Sequence, residues 1–362
     1  MKNYKQLTVL ICIVLVGILV FWSLNYQDNP KDTVKIGVIS PITGLIQGGD
    51  NLGQGFVNGL ILAQEDYKSQ NPDAKFEIII EDDGYDSKKG MSAYQKLTSI
   101  NKIDALINLS SPTIDSITQN IKQQEIPVVQ LGLESEIMED TIFAIYPDQA
   151  AIGVLGTTAE QDGAKRVVIA TQQIKAYESL VSDFQSNFEG ETEVLRMSPS
   201  ENNLKPTALK IKELNPDAVV LFMGSKEGSQ LIKEMNNIGY KPNNLYFDIS
   251  LQYGIADYAE MLGGLDKING AKSLYMSSNM NFDFEQRYEK RFGERFSLLA
   301  GFGYDAYMTT VKTYDNNSEV WIKNISKYKD EGVTGTIQFN NLGVRPPTFE
   351  IAEVVNGELI VK

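Results

Sequence analysis

The chain has 362 residues, 42% apolar and 22% charged, more than one hydrophobic core comfortably serves, so two domains or lobes are expected and disorder cannot dominate. A formal net charge of −14 without any basic run excludes a nucleic-acid partner, which needs clustered lysine and arginine. Histidine is absent and the single cysteine, Cys12, lies in an apolar run. That removes Ser-His-Asp hydrolysis, histidine acid/base pairs, thiolate catalysis, disulfides and the commonest metal centres; no cofactor and no metal are expected.

In chain order, Leu7–Leu24, "LTVLICIVLVGILVFWSL", carries no charge and is long enough to cross a bilayer, about 27 Å at ~1.5 Å per residue. Lys2 and Lys5 precede it, so residues 1–6 stay cytoplasmic and everything after Asn25 is exported. No small-x-small cleavage site follows Val20, where Phe21 and Trp22 stand, which favours an uncleaved anchor over a removed signal. Ile11 before Cys12 argues against lipidation at that thiol.

After a linker over residues 25–33, short β-branched runs alternate with amphipathic ones. Strands are predicted at Val34–Ile39, Phe76–Glu81, Ala105–Leu109, Pro127–Leu131, Arg166–Ala170, Glu193–Met197, Ala218–Phe222 and Asn244–Phe247. Helices are predicted between them, at Gly55–Lys68, Ser87–Ile100, Thr113–Gln124, Ala150–Gln161, Ala176–Phe188, Leu204–Leu214 and Ser229–Ile238. Such alternation implies right-handed βαβ crossovers and parallel sheets, an α/β fold. The series breaks at Phe143–Gln149 and restarts at Ala164. Helical stretches at Asp283–Arg291 and Tyr304–Tyr314 and a closing strand pair follow the change of texture near Gly270. This reads as one lobe over 34–145 and 271–332 and a second over 146–270 and 333–362, joined by several strands with a cleft between them.

Ligands of parallel sheets gather beyond the carboxyl ends of the strands, and the loops there supply the candidates. Behind the first strand, Gly48 and Gly49, with Gly53 and Gly55, would let backbone amides approach a guest, although they do not fall as G-x-G-x-x-G. Tyr85 and Lys89 have Tyr-x-x-x-Lys spacing but follow the second strand, which speaks against a short-chain dehydrogenase. Ser110, Ser111 and Pro112 follow the third strand, with Ser111 placed to cap a helix and Ser110 left over. Gly132 and Glu134 follow the fourth strand; Tyr177, Ser225 and Asp248 stand at comparable positions in the second series.

The stretches "VKIGVISPITG", "GGDNLGQGFVNGLILAQED", "FEIIIEDDGYDSKKGMSAYQKLTSINKIDALIN" and "SSPT" resemble the periplasmic-binding-protein type I family, in its branched-chain-amino-acid receptor branch, from about Val34 to the C-terminus. The resemblance implies two Rossmann-like lobes on a multi-strand hinge that close on a small solute without covalent chemistry, and hence no enzyme. It implies that Ser110, Gly132 and the residue at Glu134 hold a ligand carboxylate, that Tyr177 forms an aromatic wall and that Asp248 meets an amine. Glu134 departs from the family's hydroxyl residue and would repel a carboxylate, so a cationic, amide or polyhydroxylated solute suits the cleft better than an anion. The implied role is a membrane-anchored extracytoplasmic receptor delivering its solute to an ABC transporter permease. The alternative is a sensor or interaction module of the same fold, signalling to a membrane receptor or cell-wall enzyme.

Overall fold

The structure, a computed structural model, describes residues 33–43, 52–132, 140–146, 153–198, 201–276, 282–346 and 349–362. The apolar run 7–24 lies outside these, and among the described residues no helix is long and apolar enough to cross a membrane.

The first half builds β1 (Val34–Ser40), α1 (Leu52–Gln70), β2 (Phe76–Asp82), α2 (Ser87–Gln95), β3 (Ala105–Asn108), α3 (Ser111–Gln124), β4 (Val128–Gln130) and β5 (Ile142–Ala144). All five strands are parallel, in the order β2-β1-β3-β4-β5. β3 is buried along its whole length, and its alternate side chains feed two cores: Ala105 and Ile107 meet Phe56, Leu60 and Phe302 on one face, while Leu106 meets Ile114, Ile117 and Ile121 on the other. Burial on both faces is why these strands read as continuous apolar runs instead of alternating ones.

The second series runs α4 (Gly153–Gln161), β6 (Arg166–Gln172), α5 (Lys175–Ser186), β7 (Glu191–Met197), α6 (Lys205–Leu214), β8 (Ala218–Phe222), α7 (Ser225–Asn237), β9 (Asn244–Phe247), α8 (Ile255–Leu262) and β10 (Lys272–Met276). Its parallel strands stand in the order β7-β6-β8-β9-β10, the same order as in the first sheet. Val219 and Leu221 of β8 face one core, Val220 and Phe222 the other.

The chain then returns to the first lobe with α9 (Phe282–Phe292), α10 (Leu298–Lys312) and α11 (Ser318–Ser326) and a hairpin, β11 (Lys329–Gly332) and β12 (Gly335–Gln338). It ends in the second sheet with β13 (Phe349–Val355), antiparallel to β10, and β14 (Glu358–Val361). Asn356 and Gly357, at φ 53° and 82°, make the tight turn between them, a conformation Asn-Gly supplies readily. The strands thus divide the chain after β10 and after Arg345, where Val344 bridges Ala144 of β5, beyond the crossings expected at residues 271 and 333.

Three glycines of the first lobe serve close helix packing. A Cβ on Gly59 of α1 would stand 1.9 Å from the Ala300 carbonyl of α10, and one on Gly303 would stand 2.1 Å from the Phe56 carbonyl. A Cβ on Gly53 would meet the Pro41 carbonyl at 2.1 Å, so this glycine admits backbone of its own lobe instead of a guest. Gly48 and Gly49 fall outside the described residues.

Candidate functional site

Both parallel sheets reverse direction at the gap between their second and third strands, β1/β3 in one and β6/β8 in the other, and such switch points open a crevice beyond the carboxyl strand ends.

On the first lobe this rim is Ser110. The α3 helix begins at Ser111, so Ser110 and not Ser111 occupies the capping position, with Pro112 in the first turn. Ser110 is fully buried, yet its hydroxyl makes no cap bond and its Oγ has no hydrogen-bond partner. A buried polar atom left unpaired costs roughly 1–3 kcal/mol, which marks the position as one to be completed from outside. The Asn108 amide donates to the Ser110 carbonyl at 2.8 Å and also to Gln130 Oε1, tying the ends of β3 and β4 together. Gly132 follows β4 half-buried, and a Cβ there would meet no atom of the described residues within 4 Å. Glu134 lies outside the described residues.

On the second lobe the rim centres on Asp248, at the end of β9 and only 5% exposed. One carboxylate oxygen accepts from the Ser250 amide at 3.0 Å. Burial pushes its pKa from 3.8 up to about 6, against hydrogen bonds from Ser250 that pull it down. Its charge reaches the hydroxyls of Tyr146, Tyr177, Tyr253 and Tyr258, and burial followed by this charge raises all but Tyr253, where Tyr146 acts before Asp248. Tyr177, in the first turn of α5, is half-buried and lies within electrostatic reach of Asp248, Glu227 and, from the first lobe, Tyr85. Ser225 is half-buried at the start of α7, but its hydroxyl donates to Asp257 Oδ2 at 2.8 Å and is engaged within its own lobe.

Tyrosines link the lobes. The Tyr253 hydroxyl donates to that of Tyr146 at 2.9 Å, and Tyr146 packs on Phe302 of the first lobe and Phe349 of the second, centroids 5.0 and 6.1 Å away. Asp257 faces Arg295 from the α9–α10 loop at 3.7 Å. Among the described residues no group of three or more acids could hold a metal ion.

A model of the periplasmic binding proteins matches residues 33–341, most of the chain. The chain belongs to the periplasmic binding protein family. Solved structures share its fold at low identity. A leucine-binding protein, LivK, of Thermotoga maritima superposes with a TM-score of 0.75 at 18% identity, covering 91% of this chain and 98% of its own. The substrate-binding protein LivJ of a branched-chain amino acid transporter from Streptococcus pneumoniae, in complex with isoleucine, gives 0.76 at 17%, with 90% and 97% covered. A solute-binding protein of an ABC transporter from R. palustris, in complex with benzoate, gives 0.77 at 18%, with 91% and 95% covered. No curated relative matches the chain.

Glu227, Tyr253 and Tyr258 are not among the sequence candidates, and Tyr85 enters there only through its Tyr-x-x-x-Lys spacing with Lys89. Tyr85 follows β2 within three residues, at a strand end as Asp248 is.

Proposed function

We propose that this periplasmic binding protein captures a small polar solute between its lobes and hands it to an ABC transporter permease, its folded part outside the cytoplasm and its N-terminal apolar run kept as an anchor. Capture involves no bond making or breaking. The buried Ser110 hydroxyl carries this reading: it sits unpartnered at the start of α3, at the switch point of the first sheet, where a bound solute would satisfy it. The neighbours' names support transport, being leucine-, branched-chain amino acid- and benzoate-binding proteins of transport systems. Ser110, Ser111, Gly132 and Glu134 on one jaw, with Gly48 and Gly49 at its edge, and Tyr177, Ser225 and Asp248 on the other, are the residues we assign to the solute.

A thermal-shift screen of the full-length chain against amino acids, amides, amines and sugars tests capture, because a ligand bound only by the folded form raises the melting temperature by mass action, about 2.7 kcal/mol at a hundredfold excess over Kd. Silence across every class would end the reading. Mass spectrometry of the protein from cells tests the anchor: recovery without residues 1–25 shows a cleaved signal instead.

A further inference from the structure

We propose that the first jaw is built for a neutral carboxamide or urea group of the solute, bound by Asn108 and Gln130 together with Ser110; this rests on the solute-capture reading above. Asn108 ends β3 and Gln130 ends β4, each the one polar residue of an otherwise apolar, fully buried strand, and the register pairs them directly across the sheet. Polar groups in such a core are costly unless they are paired. Here the pairing is incomplete in a definite way. The Ser110 carbonyl only accepts, so the Asn108 nitrogen faces it, at 2.8 Å, and the same nitrogen gives its other hydrogen to Gln130 Oε1. Both carboxamides are thereby oriented. What they have left is opposite in kind: the donor Gln130 Nε2 and the acceptor Asn108 Oδ1, neither with a partner, beside the equally unpartnered Ser110 Oγ. The backbone on either side is engaged in the sheet, the Asn108 carbonyl accepting from the Leu131 amide and the Gln130 carbonyl from the Ile145 amide, each at 2.9 Å.

Among the described residues ten buried side-chain atoms lack a partner, and three of the ten belong to these three residues, which one amide nitrogen holds together. Such atoms are rare in folded proteins, and a cluster of them calls for an occupant. Two residues beyond Gln130, a Cβ on Gly132 would meet no atom of the described residues within 4 Å. The leftover atoms select the guest. A carboxylate offers acceptors only and turns like partial charge towards Asn108 Oδ1, while an ammonium offers donors only and leaves Gln130 Nε2 unanswered. A carboxamide or urea carries both in one plane: its oxygen accepts from Gln130 Nε2 and the Ser110 hydroxyl, and its N–H donates to Asn108 Oδ1. Oδ1 and Nε2 belong to amides in direct contact, so standard bond lengths put them no more than about 7 Å apart, a span one planar amide bridges with two hydrogen bonds of ~2.9 Å.

Isothermal titration and thermal shift of the full-length chain with butyramide, butylurea, butyrate, butylamine and glycerol test this. The amide and the urea are expected to bind and raise the melting temperature, and the acid, the amine and the polyol to bind at least about tenfold more weakly. Gln130→Glu keeps the acceptor that Asn108 needs and exchanges the free donor for an acceptor. It is expected to weaken butyramide at least about tenfold and to move the preference to butylamine, a reversal that a purely structural glutamine does not give. Gln130→Met, which removes the amide without adding a charge, is expected to weaken butyramide by a similar factor while the protein still melts cooperatively. Preference of the wild type for butyrate, butylamine or glycerol overturns the amide and leaves solute capture standing. Butyramide binding unchanged in either folded variant overturns the role given to Gln130, and the wild-type panel decides the ligand class even where a variant fails to fold. Silence from all five probes overturns the amide, and capture is then decided separately by the wider screen above.

Discussion

The two lobes place five parallel strands in one and the same order, 2-1-3-4-5 counted within each sheet, and finish their third and fourth strands with different chemistry. In the first lobe β3 and β4 end in neutral polar groups, Asn108, Ser110 and Gln130, all fully buried, while the acids at the end of β2, Asp82 and the buried Asp83, are bonded within their own loop and to Thr113. The second has, just past β9, a buried carboxylate whose charge reaches four tyrosine hydroxyls. A backbone topology thus decides where a site can be but not what it holds, because strand order fixes the crevice while the first residues past each strand fix its charge. The two jaws also differ in what their polar groups cost. An unpaired hydroxyl costs a fixed amount at any pH, whereas a buried carboxylate can escape its cost by taking up a proton.

The largest expected effect follows from that difference. With a folded pKa of about 6 against an ordinary 3.8, Asp248 holds its proton more tightly folded than unfolded, so ionisation works against the fold. The penalty is fully present above pH about 6 and vanishes as pH falls below the unfolded value, a span worth roughly 3 kcal/mol at ~1.4 kcal/mol per pKa unit. Asp248→Asn should therefore raise stability to denaturant by up to roughly that much at pH 8, and by progressively less towards pH 4. A gap between the two proteins that stays constant with pH would show Asp248 to be satisfied already. The second effect is Tyr177→Ala. Losing a buried aromatic wall should weaken solute binding by roughly 1–3 kcal/mol, and affinity unchanged by calorimetry would clear Tyr177 of that role.

Much of this frame was legible beforehand, and the exceptions have local causes. Ala218–Phe222 and Asn244–Phe247 come out as predicted, because strands buried on both faces read as apolar runs, the first from end to end and the second past its half-buried Asn244. β5 escaped: Ile142–Ala144 is three residues long and is held by β4 and by the distant Val344, a partnership no local pattern displays. The α7 helix starts at Ser225, four residues before the expected Ser229. Gly228 is a poor helix former, yet its missing Cβ is what admits the Tyr258 hydroxyl, 2.2 Å from where that atom would be. At the site, Asp248 and Ser110 were visible because strand ends are visible. Tyr85 was not, since its standing depends on a backbone angle and on electrostatic reach to a residue ninety-two positions away in the other lobe.

Ser110→Ala gives the smallest effect and the sharpest contrast with Asp248→Asn. In the empty protein the Ser110 hydroxyl satisfies nothing, so its removal relieves an unpaired buried oxygen and leaves stability unchanged or slightly higher at every pH, with no dependence on protonation. With solute bound, the same oxygen contributes one hydrogen bond, so the substitution should weaken binding by about 0.5–1.5 kcal/mol. Denaturation curves of the empty protein and titrations with the solute found by screening separate the two. A fall in stability of the empty protein would mean that the hydroxyl is already engaged, and the first jaw would then be a helix start like any other. Stability held and affinity lost is the signature of a group kept waiting for its guest.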